Sequence, residues 1–335
     1  MGLRRELLLV LAAVLFCGCR QSNSREVVVY TSIDQPFSEP VLKDFERETG
    51  IHVRAVFDTE ETKSTGVLNR LIAEAGSPQA DVFWSGDPVR PFVLIRRGLV
   101  APYISPEAAK IPASFKDPSG LWTGGAARIR VVLVNKNLVP LEDRPHSMND
   151  FLAPRWKGRT AIANPVFGTT TMHVAALFVA WGEDKAREFL SSLKENGVRV
   201  ASSNGEVKRL VSTGEVAFGL ADTDDASEAV KEGAPIEAVF PDQDGAGTLA
   251  VPTSVVLMKS APHPETGKRL IDYLLSAKTE RALSLSAAHV PLRADVEPAP
   301  GVRRLSEVRT LSVDYGQVGE AVERFQPFFR EWAGL

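Results

Sequence analysis

The fold is decided by residues 26–57, which read EVVVYTSIDQPFSEPVLKDFERETGIHVRAVF. Val27–Tyr30 is a continuous run of β-branched and aromatic residues, which is typical of a strand buried on both faces. Apolar residues recur at helical spacing from Val41 to Phe45, and Gly50 supplies a stop signal. Ile51–Phe57 is predicted to be the next strand. Strand, helix and strand in this order predict an α/β fold with parallel strands.

The alternation continues along the chain. Further strands are predicted at 81–84, 129–134, 159–163, 198–201, 216–220, 236–240 and 249–258, and helices at 169–181 and 183–194. We interpret this order as two lobes, each a doubly wound mixed sheet, with hinge strands near 129–134 and 249–258. The first lobe would comprise residues 26–128 and 255–335, and the second residues 129–254. Two lobes joined by a hinge can close around a small ligand. A single three-layer domain is the alternative.

The amino terminus has the features of an export signal. Two arginines precede an apolar stretch at 7–16, which is too short to span a bilayer stably. Gly18-Cys19 resembles a bacterial lipobox, so residues 1–18 are predicted to be a lipoprotein signal peptide, Cys19 the lipidated residue and 19–25 a tether. The alternative is an ordinary signal peptide and a released protein. The predicted location is periplasmic or at the cell surface.

Bulk properties exclude several classes of function. The chain has 335 residues and a net charge of −3, which gives no electrostatic reason to expect a nucleic-acid partner. It has no nucleophile elbow, no phosphate-binding loop of the NTPase type and no His-Glu-x-x-His zinc motif. The five histidines are scattered without ligand-like spacing. We therefore expect a protein that is not an enzyme and needs no resident cofactor.

Three Ser- and Thr-rich segments fall at predicted junctions between strands and helices. The first contains Ser32, the second contains Ser64 and Thr65, and the third contains Gly168, Thr169 and Thr170. Hydroxyls and unpaired N–H groups at helix N-termini favour bound anions, so these segments are candidate anion cradles. The alternative is that they only cap helices.

A run of acids follows the predicted strand at 216–220. Asp222, Asp224 and Asp225 exceed what one helix cap requires, although at least one of them is expected to act as a cap. Carboxylates at such a position can coordinate a hard cation or pair with an organic ammonium group.

Several short motifs, in order and spacing together, resemble one known family. They are VYTS at 29–32, ADVFW at 80–84, GLV at 98–100, WKG at 156–158, ANP at 163–165 and PLR at 291–293. The chain resembles the ferric-ion-binding family of periplasmic substrate-binding proteins, within the extracellular solute-binding class. The resemblance implies the two-lobed periplasmic-binding-protein fold of type II, a monomer, and delivery of cargo to the permease and ATPase subunits of an ABC importer.

The resemblance also implies where cargo binds. The adjacent tyrosines that hold ferric iron in the family correspond here to Asp224 and Asp225, so the usual tyrosine pair is missing. The family's early histidine corresponds to Asp34, and its glutamate lies near Asp87. The family's anion site corresponds to Ser64-Thr65 and Gly168-Thr169-Thr170, with Arg128 as the candidate arginine because a guanidinium binds oxyanions bidentately.

Three hypotheses for function stay open on the sequence. The first is a carrier of ferric iron or another hard metal with a synergistic anion, in which Asp34, Asp224 and Asp225 are metal ligands. The second is a carrier of a phosphonate, a phosphate or a zwitterion such as an aminophosphonate. The third is a sensor or surface scaffold that transports nothing.

Overall fold

The computed structural model describes residues 25–58 and 65–335; the predicted signal peptide, Cys19 and Ser64 lie outside these residues. The strands are β1 (Glu26–Thr31), β2 (His52–Phe57), β3 (Val82–Ser85), β4 (Val100–Ala101), β5 (Thr123–Asn135), β6 (Thr160–Ala163), β7 (Arg199–Ala201), β8 (Phe218–Asp222), β9 (Ile236–Val239) and β10 (Ala250–Met258). The helices are α1 (Gln35–Thr49), α2 (Gly66–Ala73), α3 (Val89–Arg96), α4 (Gly168–Trp181), α5 (Glu183–Glu195), α6 (Asn204–Ser212), α7 (Thr223–Lys231), α8 (Pro264–Leu274), α9 (Ala277–Ala287) and α10 (Tyr315–Ala333).

The first sheet is mixed. β1 pairs in parallel with β2 on one side and with β3 on the other, and β10 pairs antiparallel with β3, β4 and β5. Alternate residues of β1 enter different cores because side chains alternate across a strand. Val27 and Val29 pack in the cluster that contains α1 and α8, whereas Val28 and Tyr30 pack in the cluster that contains α2. The continuous apolar run is therefore explained by burial on both faces.

The second sheet has the order β5-β8-β6-β7, with β9 on β5. β6 pairs in parallel with β7 and β8, and β5 runs antiparallel to β8. Val131 and Leu133 pack in the same cluster as Val207 and Leu210 of α6. The mixed α/β fold class predicted from the sequence is confirmed.

β5 belongs to both sheets. Its residues from Thr123 to Ile129 pair with β10, and its residues from Arg130 to Val134 pair with β8. The strand is longer than the predicted segment 129–134, because pairing with β10 extends it backward through residues that carry little strand propensity, including Gly124 and Gly125. A continuous strand thus connects the two sheets next to the cavity described below.

The C-terminal helix α10 contacts strand β10 and the helices α4 and α5. Near its start, the Tyr315 hydroxyl donates to the Ala250 carbonyl of β10 at 2.9 Å. Further along, the Phe325 ring lies 4.3 Å from that of Phe178 in α4, and Trp332 Nε1 donates to the Leu190 carbonyl of α5 at 2.8 Å. No helix within residues 25–58 and 65–335 combines the length and apolar character needed to cross a membrane.

Candidate functional site

A cavity of about 520 Å³ lies between the two sheets and is lined by residues that follow the carboxyl ends of β1, β3, β6, β7 and β8. Carboxyl ends of strands are the usual ligand-binding edge of open α/β sheets. Nine predicted residues line it: Ser32, Asp34, Asp87, Arg128, Gly168, Thr169, Asp222, Asp224 and Asp225. Thr65 and Thr170 are described but are not among the lining residues. The fold thus brings together most, but not all, of the residues that were predicted from the sequence.

Arg130 is a buried charged group that contacts lining residues of the cavity, and sequence reasoning missed it. Arg130 and Asp222 are directly opposite each other on β5 and β8, so their side chains lie on the same face of the sheet. Both are fully buried, and Arg130 Nη1 lies 2.7 Å from Asp222 Oδ1. A signal was present in the sequence, because an arginine interrupts the apolar strand Ile129–Val134.

Polar side chains from two helices, α4 and α6, complete this buried ion pair. The Thr169 hydroxyl accepts from Arg130 at 2.8 Å and donates to Asp222 Oδ2 at 2.7 Å. The Asn204 amide donates to Asp222 Oδ2 at 3.0 Å, and the Thr170 hydroxyl accepts from Arg130 at 3.1 Å. Guanidinium groups hold the pKa of Asp222 below its usual range against the opposing effect of burial. Asp222 is therefore an ionised, structurally engaged carboxylate.

Arg128 connects the two sides of the cavity. Its side chain lies on the same face of β5 as that of Arg130, because residues two apart share a face. Arg128 Nη2 donates to the Gly86 carbonyl after β3 at 2.7 Å, while Nη1 lies 3.5 Å from Asp222 Oδ2 and 4.0 Å from Asp224 Oδ2. Burial lowers the pKa of Arg128, but the surrounding carboxylates raise it by more, so the group stays charged.

The acids that open α7 form a compact cluster. Carboxylate oxygens of Asp222, Asp224 and Asp225 all lie within 4.8 Å of one another. Asp225 Oδ2 accepts the Asp222 backbone N–H at 3.1 Å, which is the capping role expected for one member of the run. Burial, followed by the charges of Asp224 and Asp222, raises the pKa of Asp225 well above its ordinary value. The closeness of the three acids therefore favours the protonated form of Asp225.

Asp87 is committed to structure on the other side of the cavity. Its Oδ1 accepts the N–H groups of Val89 and Arg90, at 2.9 Å and 3.2 Å, and so caps the first turn of α3. Ser32 has a similar role, since its hydroxyl accepts the Gly86 N–H at 3.0 Å. Both residues therefore stabilise the wall of the cavity.

Two helix N-termini supply hydrogen-bond donors to the cavity. Gly168 and Thr169 begin α4, and Asn204 and Gly205 begin α6, and all four residues line the cavity. N–H groups in the first turn of a helix have no partner within the helix and attract anions. The sequence predicted the α4 cradle but not the one at α6.

Carboxyl groups outnumber guanidinium groups among the described residues that line the cavity. Its described lining residues include six carboxyl groups and one guanidinium, that of Arg128, and also two phenylalanines, Phe37 and Phe167. The carboxyl groups are those of Asp34, Asp87, Asp222, Asp224, Asp225 and Glu228. Such a cavity favours a cargo that carries positive charge.

A small recess adjoins the cavity and contains His289, which no sequence motif singled out. The recess measures about 20 Å³ and shares Ser32, Asp34, Phe37, Arg128 and Asp224 with the larger cavity. Burial, followed by the charge of Arg128, lowers the pKa of His289 to about 3, so its imidazole is neutral. The next residue, Val290, forms a bridge with Ala127 of β5, and this bridge brings His289 close to the site.

The four tyrosines of the chain all lie among the described residues, and none lines the cavity. The hydroxyls of Tyr30 and Tyr103 donate to Glu74 and Asp272, and that of Tyr315 donates to a carbonyl of β10. Burial and the neighbouring carboxylate raise the pKa of Tyr103 to about 12. Phenolate ligation in this cavity is therefore not available.

Comparison with known proteins identifies relatives of this chain. Iron uptake protein A1 of Synechocystis is 26% identical, covering 93% of this chain and 91% of that protein. A putative 2-aminoethylphosphonate-binding periplasmic protein of Salmonella typhimurium is 27% identical, covering 87% and 86% of the two chains. The solved structure of iron-bound HitA from Pseudomonas aeruginosa matches with a TM-score of 0.82 at 23% identity, covering 92% of this chain and 99% of that one. This likeness confirms the two-lobed periplasmic-binding-protein fold.

A family model matches the larger part of the chain. It spans residues 77–315, which include the cavity residues from Asp87 to Glu228 and the recess residue His289, and it describes a bacterial extracellular solute-binding protein. The chain belongs to the family of bacterial extracellular solute-binding proteins.

Proposed function

We propose that the solute carried by this substrate-binding protein is a small molecule with both an ammonium group and a phosphonate or phosphate group. The observation that carries the proposal is the composition of one cavity wall, which combines two helix N-termini and Arg128 with a surplus of carboxylates. A phosphonate would accept from the N–H groups at Gly168 and Asn204. An ammonium group would be attracted by the carboxylates.

The size of the cavity supports an organic cargo. A volume of about 520 Å³ lies within the range of small-molecule sites and exceeds the needs of a single ion. A second feature is the pair of phenylalanines, Phe37 and Phe167, in an otherwise polar wall. Aromatic rings contribute to binding an organic cation and offer nothing to a metal that prefers oxygen ligands.

Ferric iron or another hard metal with an anion is the second candidate. One observation favours it: three carboxylates, those of Asp222, Asp224 and Asp225, lie within 4.8 Å of one another. Against it, Asp222 is already engaged by Arg130, and no tyrosine lines the cavity. One relative is named for iron and another for 2-aminoethylphosphonate, so the relatives do not decide between the two cargoes.

The same proposal covers the transport machinery. The protein would be anchored through Cys19, close its lobes of residues 26–128 with 255–335 and of residues 129–254 over the cargo, and dock as a monomer on a permease driven by an ATPase. The family match supports the role in solute capture outside the cytoplasm. The motif at Gly18-Cys19 supports the anchor.

Thermal unfolding of cargo-stripped protein tests the identity of the solute. We expect 2-aminoethylphosphonate to raise the melting temperature, since a ligand at 100 times its Kd stabilises the folded state by about 3 kcal/mol. Ferric citrate and manganese serve as the matched comparison. A rise with ferric citrate and none with the aminophosphonate would replace the proposed cargo by the metal.

A further inference from the structure

Helix α10 packs through large side chains on the helices that flank the second sheet. The rings of Phe325 and Phe329 lie 4.3 Å and 5.6 Å from that of Phe178 in α4. Trp332 Nε1 donates to the Leu190 carbonyl of α5 at 2.8 Å. Interdigitated side chains in a close-packed interior resist relative movement. We therefore expect α10 to move together with α4 and α5.

The contact of α10 with α3 is of a different kind, because two glycines of α10 lie against the Phe92 side chain of α3. A β-carbon added at Gly319 would lie 3.3 Å from Phe92 Cβ, and one added at Gly316 would lie 3.3 Å from Phe92 Cε1. The helices approach closely here without interlocking side chains. Arg96 adds an ion pair with Glu323 in which both side chains are exposed, and such pairs contribute little to stability. We call these five residues the rear seam.

Strand β5 lies between the cavity and the start of α10. Arg128 of this strand lines the cavity. Ala127 and Ile129 lie on the opposite face of the strand, because neighbouring side chains alternate. They pack in the cluster that includes Tyr315 and Val318 from the first turn of α10. The cavity and α10 are therefore on opposite sides of β5 at the point where this strand passes from one sheet to the other.

Helices α3 and α4 both begin at the cavity and end at a groove behind it. Asp87, which lines the cavity, caps the start of α3, and Gly168, which also lines it, begins α4. Arg96 at the end of α3 and Phe178 near the end of α4 line a groove of about 810 Å³ between these helices and α10. Because a helix rises about 1.5 Å per residue, this rear groove lies roughly 10–15 Å behind the cavity.

We propose that the rear seam opens as the lobes close over the cargo, so that its packing sets the balance between the open and the closed protein. Two bodies that turn about a strand between them separate on one side as they approach on the other. A cargo that binds the closed form is bound more tightly when the closed form is more populated. The inference rests on the lobe closure of the proposed function and applies to either candidate cargo.

A bulky side chain in the rear groove tests this arrangement. Gln317 is exposed and lines the groove, so Gln317→Trp is expected to hold α3 away from α10 and to favour closure of the cavity. We expect the Kd for cargo to fall about 5-fold or more, which is the lower end of usual coupling between sites. Gln326→Trp is the matched control, because Gln326 is an exposed residue of the same helix that does not line the groove. Calorimetry of the cargo-stripped full chain with 2-aminoethylphosphonate and with ferric citrate measures the Kd.

Small-angle X-ray scattering without cargo gives a second readout that does not depend on the identity of the cargo. The Gln317→Trp protein is expected to have a smaller radius of gyration than the wild-type protein, whereas Gln326→Trp should match the wild-type value. Gly319→Ala keeps the test available if the tryptophan variant folds poorly. Its added methyl group meets Phe92 at the seam itself, so we expect a smaller change in the same direction.

Two outcomes would overturn the role of the rear seam. One is an unchanged radius of gyration and Kd in both Gln317→Trp and Gly319→Ala, and the other is weaker binding of cargo by these variants. The proposed function fails separately. A wild-type protein that binds neither cargo would refute the proposed solutes, and the scattering comparison of the cargo-free variants would still decide the role of the seam.

Discussion

At the scale of single residues, Arg130 stabilises the part of the cavity wall that is formed by Thr169 and Asp222. Its guanidinium is fully buried and contacts Asp222, Thr169 and Thr170. Removal of one member of a buried ion pair leaves the other charge without compensation. Part of that charge would still be balanced by Arg128, which lies 3.5 Å from Asp222.

Arg130→Met is expected to lower the free energy of unfolding by about 3 kcal/mol, because Asp222 would remain charged and buried. Urea denaturation measures this change. The double variant Arg130→Met with Asp222→Leu should recover a large part of the loss, since neither charge then remains. A double variant as unstable as the single variant would show that packing, and not charge, explains the loss.

The limits of sequence reasoning are clearest at this scale. Asp34, Arg128, Thr169 and Asp225 could be predicted because each lies at a strand end, a helix start or a family motif. Arg130 was signalled only as an arginine within an apolar strand. Its role and that of His289 could not be predicted, because they depend on strand register and on a bridge between distant segments. Thr170 has the right residue type, yet its hydroxyl accepts from Arg130 and the residue does not line the cavity.

At the scale of elements, α10 links strand β10 to the helices α4 and α5 outside the cavity. Its first turn contacts β10, and its later turns contact α4 and α5 through Phe325, Phe329 and Trp332. Arg96 of α3 forms an ion pair with Glu323 near the middle of the helix. Burial along α10 therefore contributes to how firmly the two sheets are held together.

Phe329→Ala in α10 is expected to cost about 3–5 kcal/mol in unfolding free energy, because the ring is fully buried and its loss leaves a cavity beside Phe178. Glu331→Ala, at an exposed position of the same helix, is the control and should change stability by less than about 0.5 kcal/mol. Equal effects of the two changes on a urea transition would contradict the packing described for α10.

Elements were predicted well where periodicity was strong. Strands β1, β2, β6 and β10 lie within one residue of the predicted bounds, because β-branched runs specify them locally. The first half of β5 was missed, since its glycines and alanines form a strand only through their partners on β10. The short helix α3 was also missed, because Asp87 caps it from a segment with no strong helical pattern.

At the scale of the whole molecule, buried histidines make stability depend on pH. His173 and His289 are buried, and burial followed by a neighbouring arginine lowers the pKa of each to about 3 from 6.5. Between these values the unfolded chain binds protons that the folded chain does not. Their contribution to stability is therefore complete above pH 6.5 and is lost as the pH falls towards 3.

His173→Leu is expected to flatten the acid limb of the stability curve. Between pH 6 and pH 4, the variant should lose about 1 kcal/mol less per pH unit than the wild-type protein, because one fewer proton is taken up on unfolding. Urea titrations at several pH values measure the slope. Parallel curves for the two proteins would mean that His173 is already protonated in the fold.

The absence of tyrosine from the described lining of the cavity has a consequence for colour. Visible absorption in ferric sites of the phenolate type arises from charge transfer between the aromatic oxygen and the metal. A ferric ion held here by carboxylates and an anion would have no such donor. Iron-loaded protein would then be nearly colourless in visible light, and absorbance alone would fail to report its cargo.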